Sequence, residues 1–191
     1  MSTLRVFVAV HPSPEVAQAS ATLQRRLQRA GVSCRWVAES HLHVTLLFLG
    51  ETPGEAIEPL AATILAVAER HAAFDLAVEG VGAFPSLRNA RTVWAGLTRG
   101  TAELIALQTD LDQTLTEAGL YAGDRYDFHP HLTLGRLQHP ANLSALVAPY
   151  ADWQGGRCPI DSVAVMASDL SQGSPRYTEL CRVALQAAAS A

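Results

Sequence analysis

His43-Val44-Thr45-Leu46-Leu47-Phe48-Leu49-Gly50 and His131-Leu132-Thr133-Leu134-Gly135-Arg136 carry one His-x-Thr unit twice, 88 residues apart. Each stretch reads as a strand, over His41 to Gly50 and His131 to Leu137. Residues i and i+2 of a strand share a face. His43 and Thr45 therefore project together, with Val44 and Leu46 turned to a core; His131 and Thr133 repeat this in front of Leu132 and Leu134. Each copy offers one imidazole and one hydroxyl from a rigid support.

The same offset extends outward. Leu4 to Val10 reads as a buried strand. Ser13 and Pro14 are an N-cap followed by proline at the first helical position. Val16, Ala19, Leu23, Leu27 and Ala30 make a helical stripe that Gly31 stops. In the second copy Val93 to Leu97 is the strand and Thr101 the N-cap. Leu104, Leu107, Leu111, Leu115 and Ala118 form the stripe, and Gly119 the stop. Ser13 and Thr101, Leu23 and Leu111, Leu27 and Leu115, Gly31 and Gly119, and Thr45 and Thr133 all stand 88 apart. The expectation is an internal duplication of residues 5–49 in residues 93–137.

Outside the repeat, Cys34 to Val37 reads as a short strand. Ile57 to Arg70 reads as a helix with Leu60, Ile64, Val67 and His71 on one face, and Asn142 to Tyr150 as its shorter counterpart. Phe74 to Phe84, Ile160 to Ala167 and Tyr177 to Leu185 read as strands, with Asn89 in a polar loop between two of them. Residues 186–191 read as a frayed tail. No linker divides the chain, so residues 1–191 read as one α+β domain of two similar halves that share one sheet system or face each other across a groove.

Composition narrows the partners. The 191 residues carry a net charge of −4 and are 49% hydrophobic, enough for a packed core. All 14 basic residues are Arg. An acidic chain without Lys is unsuited to gripping long duplex nucleic acid, yet the planar guanidinium fork still recognises single phosphates. The Ala and Arg bias itself reads as codon composition of a GC-rich genome. Cys34, Cys158 and Cys181 are odd in number and far apart, which fits a reducing compartment and no disulfide framework. No apolar run nears the roughly 20 residues that span a bilayer, and Val6 to Val10 is too short for a signal-peptide core. The expectation is a cytoplasmic monomer.

If a pseudo-two-fold axis relates the halves, the four polar side chains surround one small volume. One neutral imidazole accepts a proton from the attacking group, and one imidazolium protonates the leaving group. The two hydroxyls stabilise oxygens that gain charge. A phosphodiester fits these groups, with no metal or other cofactor required. His41 and His129 add two imidazoles, which opens a metal reading that no nearby carboxylate or thiol supports. His11, His71 and His139 read as ordinary loop or helix residues. Arg136 is the best-placed phosphate ligand, provided that Gly135 permits a bulge turning it to the His131 face; otherwise it is a surface residue at a strand end. Phe48, Phe84 and Phe128 flank the motifs, and each is a core residue or a base-stacking one.

The paired motifs resemble those of the 2H phosphoesterase superfamily and, more narrowly, the RNA 2′,3′-cyclic phosphodiesterases, or 2′-5′ RNA ligase-like proteins. The likeness extends to Arg5-Val6-Phe7-Val8-Ala9, Arg35-Trp36-Val37, Gly82-Ala83-Phe84-Pro85, Val93-Trp94-Ala95-Gly96, Phe128-His129-Pro130-His131 and Arg176-Tyr177. It implies a bilobal fold of two antiparallel sheets with outer helices around a central groove. It implies hydrolysis of a terminal ribose 2′,3′-cyclic phosphate to a 2′-phosphomonoester, with weak ATP-independent 2′-5′ ligation in reverse. His131 is then the proton acceptor and His43 the proton donor, an assignment that the symmetric local sequence does not make. Thr45 and Thr133 hold phosphate oxygens. Arg136, Phe48 and Phe128 are expected substrate contacts from their positions beside the motifs rather than from the resemblance. Rival readings are a phosphodiesterase for small cyclic nucleotides, ADP-ribose 1″,2″-cyclic phosphate or 2′-5′ oligonucleotides, and a nucleotide- or RNA-end-binding module without turnover.

Overall fold

Strand alternation and two helical stripes build the core in a computed structural model that describes residues 3–123, 127–169 and 176–187. The described strands form two antiparallel sheets. In the first, β3 (Val44–Pro53), β1 (Thr3–Val10), β8 (Ser162–Asp169) and β9 (Arg176–Ala184) lie side by side in that order. In the second the order is β2 (Arg35–Trp36), β6 (His131–Ala141), β5 (Ala90–Leu97), β4 (Phe74–Phe84) and β7 (Gln154–Ile160). The motif strand lies beside β1 in one sheet and beside β5 in the other. The α+β fold is therefore bilobal, with a groove between its halves.

The helices tie the lobes together. Helix α1 (Pro14–Arg29) leaves β1 but packs against β7 and β6 of the other sheet. Helix α3 (Thr101–Glu117) leaves β5, meets β3, and packs on α2 (Ile57–Ala68), which itself covers β8 and β9. Leu23 and Leu27 of α1, and Leu104, Leu107, Leu111 and Leu115 of α3, are fully buried. Removing such area from water stabilises by about 25 cal/mol per Å². A short α4 (Ser144–Val147) and a 3-10 turn (Ala148–Tyr150) close the second lobe.

Several boundaries differ from the sequence reading. Ser13 caps α1 as expected, accepting from the Val16 amide at 3.5 Å. Thr101 is not a cap. Gly100 takes that position at φ 73°, where a Cβ would lie 2.2 Å from the Asp75 carbonyl oxygen, so only glycine fits. The first motif strand starts at Val44 rather than His41, because a 3-10 turn occupies Glu39–His41. Helix α2 ends at Ala68, leaving His71 beyond it and bound to Asp110 at 2.9 Å. Gln186 is not frayed. Its amide donates to His71 and its carbonyl accepts from Ala73, which docks the segment after β9. The rest of the expected tail, 188–191, lies outside the described residues. Strand β7 escaped the reading because Gly155, Gly156 and Pro159 break its pattern; it survives as an edge strand, where a missing amide is tolerated.

Candidate active site

Two β-bulges aim the polar side chains. Ala9 faces Thr45 and Val8 faces Leu47, so Leu46 is an extra residue in β3. Trp94 faces Thr133 and Val93 faces Gly135, so Leu134 is extra in β6. Both extra leucines are buried. A bulge flips the residues beyond it to the opposite face. Phe48 thus joins Thr45 on the groove side, 57% exposed and 6.3 Å from the Phe7 ring. Arg136 likewise joins Thr133, and its Nη1 donates to the Thr92 hydroxyl at 3.4 Å. The turn of Arg136 toward the His131 face, which alternation alone forbade, is therefore present.

Gly135, next to the second bulge, lets β2 approach β6 closely. A Cβ there would sit 2.6 Å from Cys34 Sγ and 3.0 Å from the Arg35 carbonyl oxygen, where β2 pairs with β6. Gln24 of α1 holds the same spot from behind. Its side-chain amide donates to the carbonyls of Val37 and Leu134, both at 2.8 Å, while the Val37 amide also donates to Leu134. Gln24 is 6% exposed. Leucine in its place takes the side-chain donor from the part-buried Val37 carbonyl and leaves Leu134 with the Val37 amide alone, at a cost of about 1–3 kcal/mol. Urea denaturation of Gln24→Leu should show a lower midpoint with an unchanged slope.

The two imidazoles are held alike. His43 Nδ1 lies 2.7 Å from the His41 carbonyl oxygen, and His131 Nδ1 lies 2.7 Å from the His129 carbonyl oxygen. A carbonyl only accepts, so each Nδ1 keeps its hydrogen and donates it. Proton exchange is left to each Nε2. Aromatic rings wall both imidazoles. Phe7 lies 4.9 Å and Tyr177 5.4 Å from His43, and Phe84 lies 4.9 Å from His131. Burial pushes the His43 pKa down to about 4; its backbone hydrogen bond opposes this, while charge on His11, His41 and Arg136 adds to it. Burial also lowers His131, opposed by its own backbone bond and helped by Arg136 and His129. Arg136 thus acts on both imidazoles.

Two cavities meet at the centre. One, of about 400 Å³, has His131, Phe84, Phe128, His129 and Asp127 in its wall. The other, of about 500 Å³, has His43, His41, Phe7, Tyr177 and Arg5. Thr45, Phe48, Thr133 and Arg136 line both. Every candidate named from the sequence therefore borders this groove. Among the described residues no group of three or more His, Cys, Asp or Glu stands close enough to hold a metal ion.

The sequence pattern of the 2′-5′ RNA ligase superfamily matches residues 12–172. The chain belongs to that superfamily. Among relatives of this superfamily member, an RNA 2′,3′-cyclic phosphodiesterase of Aeropyrum pernix is 33% identical over 168 residues, covering 85% of this chain and 93% of the relative. One from Escherichia coli is 33% identical over 151 residues, covering 79% and 80%. Crystalline Escherichia coli LigT complexed with 3′-AMP superposes with a TM-score of 0.79 at 27% identity, covering 96% of this chain and 99% of that one. A Thermus thermophilus structure gives 0.80 at 29% identity, covering 96% and 98%.

Sequence reasoning missed several residues of this superfamily member's groove. Arg5 and Phe7 share the face of β1 opposite buried Val6 and Val8, a signal present in the alternation but hidden by an apolar run. Tyr177 arrives from β9, and only the β1–β8–β9 pairing brings it to His43. His11 is no ordinary loop residue, for its ring lies 6.3 Å from that of His43.

Proposed function

We propose that the protein hydrolyses the 2′,3′-cyclic phosphate at an RNA end to a 2′-phosphomonoester, with no metal ion in the step. One observation carries the reading: two imidazoles, each with Nδ1 locked on a backbone carbonyl, border one groove that Thr45, Thr133 and Arg136 share. The names of the relatives point the same way.

Water attacks phosphorus and His131 Nε2 takes its proton. The bond from phosphorus to O3′ breaks, and His43 Nε2 gives O3′ a proton. Proton exchange with solvent then returns His131 to its neutral form and His43 to its charged form. Thr45, Thr133 and Arg136 donate to the non-bridging oxygens as charge builds on them. A 5′-hydroxyl in place of water gives a 2′-5′ linkage by the same path: His131 takes the hydroxyl proton, the bond to O3′ breaks and His43 protonates O3′. The three free thiols accord with a cytoplasmic setting, and the whole site comes from one chain, so the reading needs no oligomer.

The free protein holds both imidazoles below their ordinary pKa of about 6.5. A reaction that needs one neutral and one charged imidazole should give a bell-shaped kcat/KM with both limbs below that value. A bound phosphate favours the charged forms, so the kcat profile should lie at higher pH. Stability follows the same sign. Folding favours neutral His43, so its contribution is complete above about 6.5 and is lost as pH falls through about 4. EDTA should leave turnover unchanged. Loss of turnover in EDTA, restored by a divalent cation, would overturn the mechanism.

A further inference from the structure

Charge is distributed unevenly along the groove. The cavity bordered by His43 and Tyr177 has Arg5 and Arg136 in its lining and, among the described residues, no carboxylate. The cavity bordered by His131 shares Arg136 and adds Asp127 beside Phe84 and Phe128, one cation set against one carboxylate. In a chain of net charge −4, a cavity with two cations and no acid is a distinct feature. Arg70 and Arg182 are neutralised by Asp110 and Glu179. Arg5 makes no such pair among the described residues, although Glu51 stands opposite it in the β1–β3 ladder. Its backbone carbonyl accepts from the Ser168 hydroxyl at 3.3 Å, tying β1 to β8 at this point. Tyr177 adds a phenol that burial keeps protonated and able to donate.

We propose that the Arg5–Tyr177 cavity is a subsite for the phosphodiester one nucleotide upstream of the reacting end, with the terminal base between Phe84 and Phe128. The protein then selects oligonucleotide ends over mononucleotides. The inference rests on the functional reading above and deepens it. A phosphodiester carries one negative charge and two free oxygens, which suit a guanidinium fork. Asp127 offsets Arg136 in the other cavity, which makes it less suited to a second phosphate, and accepts from the exocyclic amino group of a base. Aromatic faces there suit base stacking, which is tolerant of sequence.

The test compares a nucleoside 2′,3′-cyclic phosphate, a dinucleotide ending in the same group, and that dinucleotide with a neutral methylphosphonate linkage. The dinucleotide should exceed the mononucleotide in kcat/KM by about tenfold, the scale of one charge-assisted contact. The methylphosphonate should lose most of that advantage, chiefly through KM. In Arg5→Ala the dinucleotide-to-mononucleotide ratio should approach one, and Arg5→Lys should recover part of it. Equal kcat/KM for all three substrates would overturn the subsite while leaving the functional reading standing. No turnover of any of them would overturn both. The methylphosphonate comparison uses the unaltered protein, so it decides the matter even if an Arg5 variant fails to fold.

Discussion

His131→Ala and His43→Ala should each lower turnover of a 2′,3′-cyclic phosphate by about 10²–10⁴-fold, the range for losing a positioned acid or base. Each imidazole has a fixed Nδ1 hydrogen and a single exchanging nitrogen, so its removal takes away the one atom positioned for that proton transfer. Affinity for a 2′-nucleotide should change far less, because Thr45, Thr133 and Arg136 remain to hold the phosphate. The double variant should be little worse than either single one, as groups acting in one step are not additive. Titration calorimetry beside steady-state kinetics separates the two effects. A variant that keeps a tenth of the activity, or loses binding in step with rate, contradicts the acid–base roles.

Arg136→Ala should cost about 10²–10³-fold in kcat/KM, the scale for removing one preorganised donor to a developing oxyanion. The guanidinium borders both cavities, so its loss should reduce kcat as well as weaken binding. It also disfavours the charged form of His43 and of His131. Its removal should therefore move both limbs of the kcat/KM profile to higher pH. Lysine should restore the profile better than the rate, because it returns the charge but not the two-point fork. An Arg136→Ala protein with unaltered limbs would place the guanidinium away from the imidazoles.

The motifs were legible because strand chemistry is local. His43 with Thr45, and His131 with Thr133, follow from a two-residue period, and Gly135 announced the bulge that turns Arg136. The matching bulge at Leu46 was not legible, since Leu46-Leu47 reads equally well as a buried pair; it is what brings Phe48 to the groove. Those two bulges stand 88 residues apart, as do the two His–carbonyl contacts. The duplication of residues 5–49 in 93–137 is our proposal for their common origin. Thr101 misled because a good capping residue follows a glycine that the Asp75 carbonyl leaves no room to replace. Strand β7 and the arrival of Tyr177 depend on pairings between distant segments, which one-dimensional periodicity does not carry. The acidic balance pointed only away from long duplexes; the placement of Arg5 and Arg136 turns it into a statement about one short stretch of backbone.

The most direct test is to incubate the protein with a short RNA ending in a 2′,3′-cyclic phosphate and follow the terminal phosphorus by ³¹P NMR. The account predicts conversion to a 2′-phosphomonoester, abolished in His43→Ala and His131→Ala. A 3′-phosphomonoester would contradict O3′ as the leaving group, and a cyclic phosphate left intact would contradict the proposed activity itself.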